Sequence, residues 1–150
     1  MGAHAAMTRT FNAGLQASSA ITVTDFEALR RLASAPAGRM RRVDLAQSVG
    51  LTASGITRLL DGLQAAGLVC KELCSEDARV TYAVITEAGR EVLHRAASTH
   101  LSGLGALFSE RFTPEELDQL VQLLGRLPGA EDDAAACPGT NAPTPEVGAA

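Results

Sequence analysis

The chain has 150 residues, 46% of them hydrophobic, no Trp and a net charge of −4. That length suits one domain with a modest core, or a core completed across a dimer interface. No apolar run approaches a membrane span, and three cysteines are too few, and odd in number, for a secreted disulfide scaffold. The opening residues also lack a basic segment followed by an apolar stretch, so the chain reads as soluble and cytoplasmic.

The mild net charge conceals an asymmetry. Residues 1–95 carry 11 basic against 9 acidic side chains, and residues 110–150 carry 2 against 8. An acidic whole-chain balance therefore does not exclude nucleic acid, provided a basic face exists locally.

In chain order, the Ala-rich residues 1–20 predict a short helix ending near Ser18. Asp25 to Ala33 predicts a second, with Thr24 as N-cap and Phe26, Leu29 and Leu32 on one face. Ser34 to Gly38 breaks it. Val43 to Val49 reads as a short helix offering Val43, Leu45, Ala46 and Val49 for burial. Gly50-Leu51 turns the chain, Thr52 caps a helix over 53–66, and Gly67 ends it. Ile56, Leu59, Leu60 and Leu63 make its apolar stripe. Two extended runs follow, 68–73 and 80–85, joined by a polar hairpin tip over 74–79.

Thr86 caps a long helix from Glu87 to about Phe108, without the acidic partner of a full capping box. Thr113-Pro114-Glu115-Glu116 opens another, with Leu117, Leu120, Val121, Leu124 and Leu127 on one face. Residues 128–150 hold four of the six prolines and no periodicity, which predicts a disordered tail.

Two short helices joined by a tight turn form a helix-turn-helix, whose second helix can lie in a major groove. Its outward positions are Ala53, Ser54, Thr57, Arg58 and Asp61. Ser54 and Thr57 can bond phosphates or bases, and Arg58 has the fork that suits guanine or phosphate. Gly55 would allow close backbone approach to DNA. An ordinary buried helix pair would look the same in the absence of further signs. The hairpin is such a sign: helix-turn-helix plus hairpin is the winged arrangement. Arg79 at its tip suits a minor groove, with Asp77 placed to orient it, although a solvated turn could carry the same ion pair. Arg39, Arg41 and Arg42 cluster just before the motif, either gripping phosphate or forming a solvated basic loop.

The stretches GLTASGITRLLDGLQAAGLV and EDARVTYAVITEAGRE resemble the recognition helix and wing of the MarR family of transcription regulators. The resemblance rests on Asp77 and Arg79 in the wing, then Ile85-Thr86 and Gly89-Arg90, and covers about residues 21–127. It implies a mainly α fold with a small β-hairpin wing: a winged helix-turn-helix over 21–90, dimerisation helices over 91–127 and an N-terminal dimerisation arm over 1–20. It implies a bacterial regulator, a repressor, that binds a pseudo-palindromic double-stranded operator as a homodimer. Arg41, Arg42, Ser54, Thr57, Arg58, Asp77 and Arg79 would contact DNA, and a small aromatic or anionic effector would be a further partner. Ala78 departs from the family's usual pair of adjacent arginines in the wing, and Arg41 replaces its usual small polar residue.

Cys70 and Cys74 are too far apart on one straight strand to bridge, and His94 and His100 lack one-turn metal spacing. No nucleophile with a base, catalytic carboxylate pair or phosphate loop is present, so an enzyme and a cofactor are not expected. The competing reading is a winged helix used for protein interaction. It would not need Arg79 or the polar Ser54, Thr57 and Arg58.

Overall fold

A computed structural model describes residues 2–73 and 80–127. The predicted disordered tail over 128–150 lies outside them, as does the hairpin tip over 74–79. The chain divides into two units, Met1–Leu107 and Phe108–Ala150.

In the first unit, α1 (Gly2–Ser19) is followed by α2 (Val23–Ser34). The cap of α2 is Thr22, not the expected Thr24: Thr22 Oγ1 accepts from Asp25 N at 3.1 Å, while Thr22 N donates back to Asp25 Oδ2 at 2.9 Å. Asn12 of α1 secures the same end, its Oδ1 accepting from Val23 N at 2.8 Å. Phe26, Ala28, Leu29 and Leu32 are the buried face of α2.

A 3₁₀ turn over Pro36–Gly38 leads into β1 (Arg39–Arg41). The sequence pattern carries no sign of this strand, and of the two readings of the arginine cluster the solvated loop does not hold for Arg39–Arg41. The Arg-Met-Arg alternation turns Met40 inward and leaves both arginines exposed. Next come α3 (Arg42–Ser48), α4 (Ala53–Ala65), β2 (Val69–Leu73), β3 (Thr81–Ile85) and α5 (Glu87–Ser109). The strands form an antiparallel sheet in the order β1-β3-β2, with Arg41 and Glu72 both paired to Tyr82, and Met40 and Lys71 both paired to Ala83.

The core gathers Leu15 of α1, Leu29 and Leu32 of α2, Leu45 of α3, Ile56 and Leu60 of α4, Val69 of β2 and Ala96 of α5. Two turns of α3 bury only Leu45 and Ala46, and Val43 is 62% exposed instead of buried. Each large core side chain contributes roughly 1.5–3 kcal/mol by leaving water.

In the second unit, Phe108 and Phe112 stack with ring centroids 5.9 Å apart. Thr113 and Glu116 then cap α6 (Pro114–Leu124) reciprocally, at 3.3 and 2.8 Å. Val121, Leu123, Leu124 and Leu127 are all exposed. Among the described residues, no helix is long and apolar enough to cross a membrane.

Candidate nucleic-acid interface

The geometry of α3 and α4 follows from the turn between them. Gly50 takes a φ of +68°, a region that L side chains rarely adopt, and the Leu51 amide donates back to Ala46 O at 2.8 Å. Thr52 then caps α4, its Oγ1 accepting from Gly55 N at 3.2 Å. A Cβ at Gly55 would lie 3.3 Å from Thr52 Oγ1 and 3.6 Å from Leu51. Gly55 therefore faces its own turn and packs it closely, and is not an opening toward a ligand as the sequence had suggested.

With Ile56, Leu60 and Leu63 buried, the opposite face of α4 is exposed. It presents Ser54, the partly exposed Thr57, Arg58 and Asp61, spaced so that they share one side of the helix. Ser54 Oγ lies 3.2 Å from Thr52 Oγ1. Thr57 Oγ1 donates to Ala53 O at 2.8 Å, which uses its one hydroxyl proton and leaves it able only to accept from a further donor. Arg58 forms no ion pair or hydrogen bond among the described residues. Asp61 is engaged differently from the other three: Lys71 Nζ of β2 donates to its Oδ1 at 2.6 Å.

The basic cluster lies beside this face in the chain and divides in two. The Arg39 guanidinium sits 5.1 Å above the Tyr82 ring and 3.7 Å from Glu72, so it ties the three strands together. Arg41 ends β1 as the N-cap of α3, and Arg42 opens that helix; both side chains are exposed. They line a cleft with Val43, Asp44, Val80 and Thr81, at the root of the hairpin. Ser54, Thr57 and Arg58 thus share one face of α4, Arg41 and Arg42 share the cleft at the start of α3, and Asp77 and Arg79 lie outside the described residues.

The Ile85-Thr86 and Gly89-Arg90 motif is a structural joint. Thr86 Oγ1 donates to Gly67 O at 2.7 Å and accepts from Gly89 N at 3.1 Å, while Thr86 N donates to Leu68 O at 3.1 Å. Gly89 is buried against that Leu68 carbonyl, with no room for a Cβ. Arg90 fills the space beside Gly38, whose φ is +67°. The start of α5 is thereby fixed both to the end of α4 and to the turn before β1.

Titration is perturbed away from this surface. Burial alone pushes the Glu27 carboxyl up, but hydrogen bonds and charge from Arg30 (2.7 Å) and Arg31 (2.9 Å) outweigh it and hold the carboxyl below its usual value. Burial lowers the His100 imidazole, partly opposed by the charge on Glu27. That ring packs 5.0 Å from Phe11 and 5.1 Å from Phe26, and its buried Nδ1 has no hydrogen-bond partner. Cys70 is an exposed thiol on β2, whereas Cys74 and Cys137 lie outside the described residues. Among the described residues, no three His, Cys, Asp or Glu side chains converge as a metal site.

Comparison with known proteins points the same way. The model of the MarR family matches residues 21–81. The crystal structure of Sco3205, a MarR family transcriptional regulator from Streptomyces coelicolor in complex with DNA, is 27% identical with a TM-score of 0.74, covering 81% of this chain and 76% of that one. AbsC, a MarR family transcriptional regulator from the same organism, is 30% identical with a TM-score of 0.73, covering 87% and 86%. The transcriptional regulator BldR from Sulfolobus solfataricus is 29% identical with a TM-score of 0.69, covering 83% and 88%.

Proposed function

The chain belongs to the MarR family of transcriptional regulators, and from that premise we propose that it binds double-stranded DNA sequence-specifically as a homodimer and represses transcription from the promoters it occupies. The observation that carries the reading is the exposed face of α4, where Ser54, Thr57 and Arg58 stand together on a helix held by a tight turn. A helix-turn-helix places such side chains against base edges in the major groove, where an arginine fork can read guanine. Arg41 and Arg42 would grip the flanking phosphates, which positions the protein without specifying sequence. Residues 21–90 form the DNA-binding region in this reading, with Asp77 and Arg79 entering the adjacent minor groove. A related protein of the same family, Sco3205, was crystallised with DNA, which supports the assignment of the partner.

Dimerisation has separate support. Leu101 of α5 is exposed, and so are Val121, Leu123 and Leu124 of α6, an amount of apolar surface that a second copy would cover. Two α4 helices related by a two-fold axis then require half-sites about 34–36 Å apart, one helical turn.

Footprinting and a stoichiometric titration on the DNA upstream of the chain's own gene test the proposal. The expected result is two protomers per duplex and two protected half-sites about one turn apart. A monomer that holds a single half-site with full affinity contradicts the dimeric reading. Equal affinity for upstream and shuffled DNA contradicts the regulatory one and favours a protein-interaction module.

A further inference from the structure

Asp61 is an awkward residue for a helix that reads DNA. It follows Arg58 by three residues and Ser54 by seven, so it lies on the same exposed stripe. A free carboxylate there would repel phosphate. At that spacing it could also reach the Arg58 guanidinium and occupy the fork that would otherwise take a base. The structure shows a third arrangement, in which Asp61 Oδ1 accepts from Lys71 Nζ at 2.6 Å.

The register of the sheet explains how Lys71 reaches it. Lys71 pairs with buried Ala83 and alternates with buried Val69, so both residues lie on the face of β2 that turns toward α4. Cys70 and Glu72 lie on the other face. The chain has 12 arginines and this one lysine. A compact ammonium on a flexible stem neutralises a carboxylate without adding a second planar fork to the surface. Exposed ion pairs add little to folding, and here the side chains are 36% and 57% accessible. The consequence of the pair is the field it sets along α4.

We propose that Lys71 is a positioning residue for DNA recognition: by holding Asp61 toward β2, it masks the one carboxylate on the reading stripe and leaves the Arg58 guanidinium available to DNA. The proposal rests on the reading of α4 as the recognition helix.

The test is a double-mutant cycle with Lys71→Met, Asp61→Asn and the pair together. Binding is followed by fluorescence anisotropy on a duplex carrying the footprinted upstream site, at several salt concentrations, with thermal melts to confirm folding. Lys71→Met is expected to weaken binding about three- to tenfold per dimer at low salt, since an unmasked charge acts across a partly solvated surface. Asp61→Asn is expected to bind as well as the parent or better. The double variant should match Asp61→Asn within about twofold, because without the carboxylate there is nothing to mask. Lys71→Arg, which keeps the charge, should retain most of the affinity.

An equal loss from Lys71→Met in both backgrounds would mean that Lys71 touches phosphate itself, and would overturn the mask. So would unchanged binding by Lys71→Met while Arg58→Ala weakens it. If neither Lys71→Met nor Arg58→Ala changes binding, the reading of α4 as the recognition helix fails, and the mask fails with it.

Discussion

Replacing Gly89 by Ala tests the joint that fixes the end of α4 to the start of α5. A Cβ at Gly89 would fall well inside 3.0 Å of the Leu68 carbonyl oxygen and 2.9 Å from Ile85 Cγ1. Ordinary carbon–oxygen contacts are about 3.3–3.6 Å, so α5 must retreat by on the order of 1 Å. The obstacle is backbone and cannot rotate away. Overpacking of this kind costs about 1–3 kcal/mol. The retreat also strains the Thr86 hydrogen bonds to Gly67 and Leu68, each worth about 1 kcal/mol. Alanine returns about 1 kcal/mol through its better helix propensity. The net expectation is a loss of about 1–3 kcal/mol, each kcal/mol lowering Tm by roughly 2–4 °C at this size. Gly62→Ala is the matched control: it sits inside α4 with nothing within 4 Å of its Cβ position, and should gain about 0.5–1 kcal/mol. Denaturant unfolding at one fixed protein concentration gives both values. A Gly89→Ala variant as stable as the parent, or stabilised like Gly62→Ala, would refute the packing argument.

Thr86→Val removes the hydroxyl that caps α5 and bonds to Gly67 O, and should cost about 0.5–2 kcal/mol in the same unfolding assay. Folding favours neutral His100, so the unfolded chain binds the His100 proton more readily. Stability is then full above the ordinary histidine range and declines as pH falls through about 6.5 toward the lower folded value. His100→Phe should flatten that decline in melts across this range, whereas Glu27, also lowered by the fold, acts only in the acidic carboxylate range. In the wing, Arg79→Ala should weaken DNA binding on the order of tenfold per dimer and make its salt dependence shallower. Unchanged affinity and slope would remove the wing from the interface.

Much of this was legible in the sequence because it was local. Thr52, the Ile56, Leu60 and Leu63 stripe and Gly67 bound α4 almost to the residue, since cap, periodicity and left-handed terminator agree. The cap of α2 was misplaced by two positions because Thr22 and Thr24 bracket Val23. What separates them is Asp25, three residues after Thr22, which completes a reciprocal cap only with that threonine. A three-residue strand such as β1 leaves almost no periodic trace, and it exists because β3 offers it a ladder. On the candidate surface, Ser54, Thr57 and Arg58 were readable from helical spacing alone. The burial of Gly89 against Leu68 and the capture of Asp61 by Lys71 were not, since both depend on where distant strands come to lie.

The central claim is that α4 reads base edges, and the affinity of the parent chain and Arg58→Ala for two duplexes at one salt concentration tests it most directly. One duplex carries the footprinted upstream site and the other is its shuffled counterpart. The account predicts that Arg58→Ala loses about 1–3 kcal/mol on the site and distinctly less on the shuffled duplex, so that the preference between them narrows. An equal loss on both would make Arg58 a phosphate contact, and no loss on either would contradict the claim that α4 faces DNA.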